Sequence, residues 1–179
     1  IMPRNLYSSN PTDAGNTWKA RIHHNDVSGF AIQDGDSGAL YTASNGRFVR
    51  IDHNVFRDAN VNIDDRANFG NYTVGGVYLD YSRNFIVDHN VIWGVEWGVH
   101  LQNQEGDQAN HLVYNNTIAV QGLSNPEPGY GPFGVVNNSG ANQSGTVVRN
   151  NIIHCTDGAI GFRHIDFTNV SPRIVQDNL

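Results

Sequence analysis

Residues 76 to 102 read GVYLDYSRNFIVDHNVIWGVEWGVHLQ, and this stretch decides the fold. It holds a strand opened by glycine (76–80), a turn (81–84), a second strand (85–89), an asparagine at 90 and a third strand (91–93). After another turn a new glycine-opened strand begins at 98. Each apolar run is short, β-branched, alternating and bounded by Gly or Asn. A helix would instead repeat apolar residues at i, i+3, i+4 and i+7 over about ten positions.

The same unit recurs along the chain. Asn25, Asn54, Asn90, Asn116, Asn151 and Asn178 stand in the contexts RIHHNDV, RIDHNVF, IVDHNVI, LVYNNTI, VVRNNII and IVQDNL. Three residues before each lies Ile22, Ile51, Val87, Val113, Val148 or Val175; two residues after the first five lie Val27, Phe56, Ile92, Ile118 and Ile153. The spacings are 29, 36, 26, 35 and 27 residues. A constant local pattern at a variable period means that each turn keeps its strands and accepts insertions between them. Strands recurring in this way, joined by turns and not by helices, suit a parallel solenoid in which stacked Asn side chains bond along the axis at a sharp corner.

On these residues the chain resembles the right-handed parallel β-helix of the pectin-lyase-like superfamily over residues 18–179. The implied fold is all-β, with roughly five to six coils and an internal Asn ladder. The runs DGDSGALYT (34–42) and GGVYLD (75–80) are similar to segments of β-helical glycoside hydrolases. Residues 1–17 carry no repeat and read as an irregular loop or the remnant of an earlier coil. The chain opens and closes in mid-pattern, as a segment of a longer protein would. Insertions at 60–74 and 122–132 follow the third strand of their units, and long loops at one edge of a regular stack are where such scaffolds carry sites.

Composition narrows the function. A net charge of −6 with a single lysine, Lys19, argues against nucleic acid, whose phosphates require clustered cations. No apolar run is long enough to span a membrane. One cysteine, Cys155, excludes an internal disulfide. What the resemblance implies is an extracellular or periplasmic setting, with a polysaccharide or other glycan as partner.

Aligning the glycine-opened strands on Gly38, Gly76, Gly98, Gly134 and Gly158 divides their residues between two faces. Ala39, Tyr41, Val77, Leu79, Val99, Leu101 and Val135 fall in the inward set. Leu40, Thr42, Tyr78, Asp80, His100, Gln102 and Val136 fall in the outward set. On that reading Thr42, Asp80 and Gln102 are neighbours, as are Tyr78 and His100.

Glycosidic hydrolysis takes two carboxyl groups, about 5 Å apart for retention or about 6.5–9.5 Å for inversion. The expected pair is Asp80 and Asp36. Substrate contacts are expected from Tyr78, His100, Gln102, Trp97, Thr42 and Asp34, with Tyr78 and Trp97 stacking on sugar rings; Trp93 is assigned to packing. No cofactor is required.

Two rivals stand beside hydrolysis. A lyase or epimerase would use calcium held by Asp52 and Asp88, or by Asp64 and Asp65, although Asp52 and Asp88 read more simply as solvated surface acids. A non-catalytic adhesin or filament subunit would associate end to end through open sheet edges. His24, His53 and His89 form a column that continues as Asn115, Asn150 and Asp177; this suits a polar stack at the turn better than the convergent ligands of a metal site.

Overall fold

The computed structural model describes residues 20–30, 37–42, 47–59, 74–102, 110–121, 133–138, 145–156, 160–165, 174–176 and 178–179. Residues 1–17 and the insertions, apart from Val74, lie outside this set. Among the described residues all regular structure is β, and no helix is long and apolar enough to cross a membrane.

The first winding comprises β1 (Ala20–His23), β2 (Asp26–Ser28) and β3 (Ser37–Thr42). The second comprises β4 (Val49–Asp52), β5 (Val55–Arg57) and β6 (Val74–Asp80), and the third β7 (Ile86–Asp88), β8 (Val91–Val95) and β9 (Trp97–Gln102). The fourth has β10 (Leu112–Tyr114), β11 (Thr117–Gln121) and β12 (Phe133–Asn138); the fifth has β13 (Val147–Arg149), β14 (Ile152–Thr156) and β15 (Ile160–Ile165); β16 (Ile174–Gln176) begins a sixth. Corresponding strands pair in parallel into three sheets. The first is six-stranded, β1-β4-β7-β10-β13-β16; the second and third are five-stranded, β2-β5-β8-β11-β14 and β3-β6-β9-β12-β15. The chain is a parallel β-helix.

Its lumen is built from columns of one residue per winding. Ile22, Ile51, Val87, Val113 and Val148 are in register on the first sheet. Val27, Phe56, Ile92, Ile118 and Ile153 are in register on the second, and Leu40, Val77, Val99 and Val135 on the third. These residues make most of one continuous core. A core only one side chain deep from each sheet explains how a chain with 39% hydrophobic residues fills its interior.

Between the first and second sheets the chain turns in two residues. The first takes a left-handed backbone: His24, His53, His89, Asn115 and Asn150 have φ of 53–55°. The second is the ladder Asn. Asn90 donates from Nδ2 to the carbonyls of Ile51 and Asp88 and to Oδ1 of Asn116. Its own Oδ1 accepts from the backbone and side-chain nitrogens of Asn54. The arrangement repeats from Asn25 to Asn178. The buried amides are satisfied by one another and by the carbonyls that the corner would otherwise orphan.

The outer face of the first sheet corrects the reading of Asp52 and Asp88 as solvated acids. Both side chains are fully buried. Arg21 donates through Nε and Nη2 to Asp52, and Arg50 does the same to Asp88. His53 and His89 approach the same carboxylates through Nδ1 at 2.8 and 2.7 Å. The imidazoles of His24, His53 and His89 stack at 5.3 and 5.0 Å, nearly parallel. They form a column beside an ion-pair ladder, and among the described residues no group of three or more His, Cys, Asp or Glu is arranged to hold a metal.

The hydrogen bond from Arg21, helped by that from His53, holds the Asp52 carboxyl well below its ordinary range. A lowered folded-state value contributes stability above the unfolded value of about 3.9 and loses it as pH falls through that point toward the folded value. Asp52→Asn is therefore expected to lower Tm most at pH 7. The gap from wild type should narrow below about pH 4, as thermal melts across pH 7 to 2.5 would show.

Candidate functional site

The outer face of the third sheet carries the residues that the sequence singled out, with one shift of register. Gly38 pairs with Gly75, so Leu40 aligns with Val77, Tyr41 with Tyr78 and Thr42 with Leu79. Leu40 and Thr42 accordingly face the lumen, and Tyr41 faces outward. A slip of one residue exchanges every side chain between faces. Thr42 is buried, with its Oγ1 2.5 Å from Ser82 Oγ, and is not a neighbour of Asp80 and Gln102 on the outer wall. At the other end Gly134 matches Gly161 and not Gly158, since Phe133 pairs with Ile160 and Val135 with Phe162.

The outward column is thus Tyr41, Tyr78, His100 and Val136, in register across four windings. Its rings stack, Tyr41 on Tyr78 at 4.6 Å and Tyr78 on His100 at 4.1 Å. Trp97 meets His100 edge-on at 4.1 Å and packs with Phe133 and Val136 in a second apolar cluster outside the lumen. Offset and edge contacts of this kind add about 0.5–1.5 kcal/mol each beyond area burial.

Two residues further along the strands, Asp80 pairs with Gln102 as expected. Each is reached diagonally by the tyrosine of the preceding winding. Tyr41 donates to Asp80 Oδ2 at 3.2 Å, and Tyr78 donates to Gln102 Oε1 at 2.7 Å. The sequence pointed to Asp80, Tyr78, His100 and Gln102, and the structure brings them together. It missed Tyr41, because the glycine pair at 75–76 allows two alignments with Gly38.

The face is not an open floor. Tyr78, His100, Trp97 and Asp80 are 3%, 2%, 5% and 7% exposed. Trp97, expected as a platform, is packed, whereas Trp93, expected to pack, is 37% exposed. Burial pushes the His100 imidazole well below its ordinary value, so it is neutral at pH 7. Neither of its ring nitrogens has a hydrogen-bond partner among the described residues. An unsatisfied buried polar atom costs about 1–3 kcal/mol.

Asp34 and Asp36 lie outside the described residues, as do Asp64 and Asp65. Ser37, bonded to Asp36, pairs with Val74. Val74 and Asp80 are the two ends of β6, about 20 Å apart at ~3.3 Å per residue. The register thus sets Ser37 and Asp80 at opposite ends of the sheet.

A further carboxylate, Glu96, went unremarked in the sequence. It is 2% exposed, and its Oε2 accepts the Val74 amide at 3.2 Å. Its position immediately before a glycine-opened strand was the available signal. It sits beside the β6 end opposite Asp80.

No protein-family model, curated protein or solved structure matches the chain.

Proposed function

We propose that the chain is part of a carbohydrate-active β-helix protein of the pectin-lyase-like kind, working outside the cell or in a periplasm and hydrolysing a glycosidic bond at the outer face of its third sheet. The observation that carries this reading is the company kept by His100. A neutral imidazole with two nitrogens unpartnered among the described residues lies in the same aromatic wall as the Asp80 carboxylate and the Gln102 amide. A folded chain retains such polar atoms where a ligand pairs them. Sugar hydroxyls, which both donate and accept, match an imidazole N–H, an imidazole lone pair and an amide.

Hydrolysis requires one carboxylic acid to protonate the leaving oxygen and a carboxylate to activate water or attack the sugar. Asp80 takes one of these roles. The second role falls to a carboxyl group outside the described residues, for which Asp36, Glu105 and Asp107 are the candidates in the sequence. The burial of this wall favours a second reading, in which the same residues are packing in a non-catalytic structural or adhesive β-helix.

Reducing-sugar release from a polysaccharide panel, measured with wild type, Asp80→Asn, Glu105→Gln, Asp107→Asn and His100→Phe, tests the proposal. Asp80→Asn should lose about 10²-fold or more of the activity, as expected for an acid or base removed from its reaction. His100→Phe should lose activity while melting higher than wild type, because it deletes unsatisfied polar atoms at nearly constant shape. Unchanged cleavage by Asp80→Asn would refute the assignment. Absence of cleavage across the panel, with His100→Phe simply more stable, would establish the structural reading.

A further inference from the structure

The outer face of the second sheet differs from the other two. Of the four large apolar residues exposed among those described, three lie on it: Val91 (39%), Trp93 (37%) and Ile152 (53%). Val91 and Trp93 share one strand, and Val91 and Ile152 share one column. Val91 aligns through Thr117 with Ile152, and Trp93 through Ala119 with His154. Arg57, the register partner of Trp93, sets its guanidinium 5.8 Å from the centre of the Trp93 ring system.

That guanidinium commits three of its five N–H donors to two carboxylates. Its Nε lies 2.9 Å from Asp26 and its Nη1 2.8 Å from Asp58. The two carboxylates are 57% and 55% exposed, so each remains open to solvent on the Arg57 that lies against the indole.

From these groups we infer a second glycan-binding site, on the outer face of the second sheet, where Trp93 stacks against a pyranose ring of a neutral polysaccharide and Asp26, Asp58 and Arg57 bond its hydroxyls. A pyranose is flat, apolar on its C–H face and ringed by hydroxyls. It matches an exposed indole rimmed by acceptors and one guanidinium.

Charge selects among glycans. The rim holds two carboxylates and one already paired cation, so a uronate or sulfated chain meets net repulsion and no free arginine. Area selects against a second copy of the protein. Five strands at ~4.8 Å and two rows of side chains, each occupying ~6.6 Å along the strand, give a face on the order of 300 Å². A stable protein interface takes about 800 Å² from each partner.

The site stands apart from the third-sheet wall, but its choice of ligand class rests on the carbohydrate reading above. The test is native electrophoresis through gels cast with neutral polysaccharides (mixed-linkage glucan, xylan, galactomannan) or with polygalacturonate. The assay compares wild type, Trp93→Ala, Trp93→Phe and Asp80→Asn. Wild type should be retarded by at least one neutral polymer and not by polygalacturonate.

Trp93→Ala should weaken that retardation about tenfold, because it removes the ring face on which the sugar packs. Trp93→Phe should restore part of it, and the same order should hold in the Asp80→Asn background, where the polymer is not cleaved. Trp93 is exposed, so its variants should melt as wild type does. Retardation that survives Trp93→Ala, or no retardation in any neutral gel, overturns the site without touching hydrolysis at Asp80. A concentration-dependent dimer in sedimentation that is lost in Trp93→Ala would assign the face to a second copy instead.

Discussion

Replacing Asn90 by alanine is expected to destabilise the fold by about 3–5 kcal/mol, among the largest effects of any single substitution here. The side chain is 1% exposed and serves both neighbouring windings. Its loss removes the donor to the Ile51 and Asp88 carbonyls and the acceptor of the Asn54 amide, and leaves Asn116 Oδ1 with fewer donors. Each orphaned group costs about 1–3 kcal/mol.

For a chain of this size the Tm should fall by about 10 °C or more. Asn90→Asp should be worse than Asn90→Ala near neutral pH. It would put a carboxylate oxygen where an amide N–H₂ now faces three acceptors, and an unpaired buried charge costs more than a void. Thermal melts of the two variants decide the matter; an Asn90→Ala protein that melts within a degree or two of wild type would mean the ladder does not hold the windings.

Gly98→Ala is the second large effect, and its cause is steric. A Cβ at position 98 would be driven into the carbonyl oxygen of Gly134 and into Ile118 Cγ2, one belonging to the next winding of the third sheet and the other to the second sheet. Gly76 and Gly134 meet the same obstruction from Ile92 and Ile153. The glycines open their strands because the second sheet presses an isoleucine against that corner in winding after winding.

Because the obstacle is backbone held in a parallel ladder, relief requires the windings to part. The cost should reach about 3 kcal/mol, the upper end for overpacking. Gly75→Ala supplies the control, since its Cβ would meet nothing nearer than 3.6 Å. It should change stability by no more than about 0.5 kcal/mol. Equal losses from the two substitutions in denaturant unfolding would discount the steric account.

Much of the architecture was legible in the sequence because its strongest signals are local. An Asn flanked by aliphatics three before and two after fixes the corner between the first two sheets. All the aliphatics of those two columns lie where that pattern assigns them, as far as the described residues extend.

The third sheet was harder to phase. Gly75 and Gly76 adjoin, Leu40 and Tyr41 are both hydrophobic, and Gly158 competes with Gly161, so glycine alone does not choose the register. The structure chooses the alignment that stacks Tyr41 on Tyr78. Matching aromatic to aromatic would have found it.

Charge was misread for a different reason. Asp52 and Asp88 look solvated in a list of acids, but Arg21 and Arg50 lie two residues before an Asp or His of their own strands and one winding away from the carboxylates they bind. A pairing between windings is invisible until the register is known. The exchange of roles between Trp93 and Trp97 is of the same kind. Gly94, with φ of 62°, breaks the alternation just after Trp93, and the register of β8 against β11 shifts between Ala119 and Val120.

Residue-resolved amide hydrogen exchange tests the stacked windings most directly. The backbone amides of Asn54, Asn90 and Asn116 donate at 3.0 Å to the side-chain oxygen of the Asn one winding on. They are expected to exchange among the slowest in the chain, and Asn90→Ala should accelerate Asn54 selectively, since Asn54 alone loses its acceptor. Exchange at these three amides as fast as in an unprotected peptide, or no response of Asn54 to the substitution, would contradict the coil-on-coil arrangement on which both proposed sites depend.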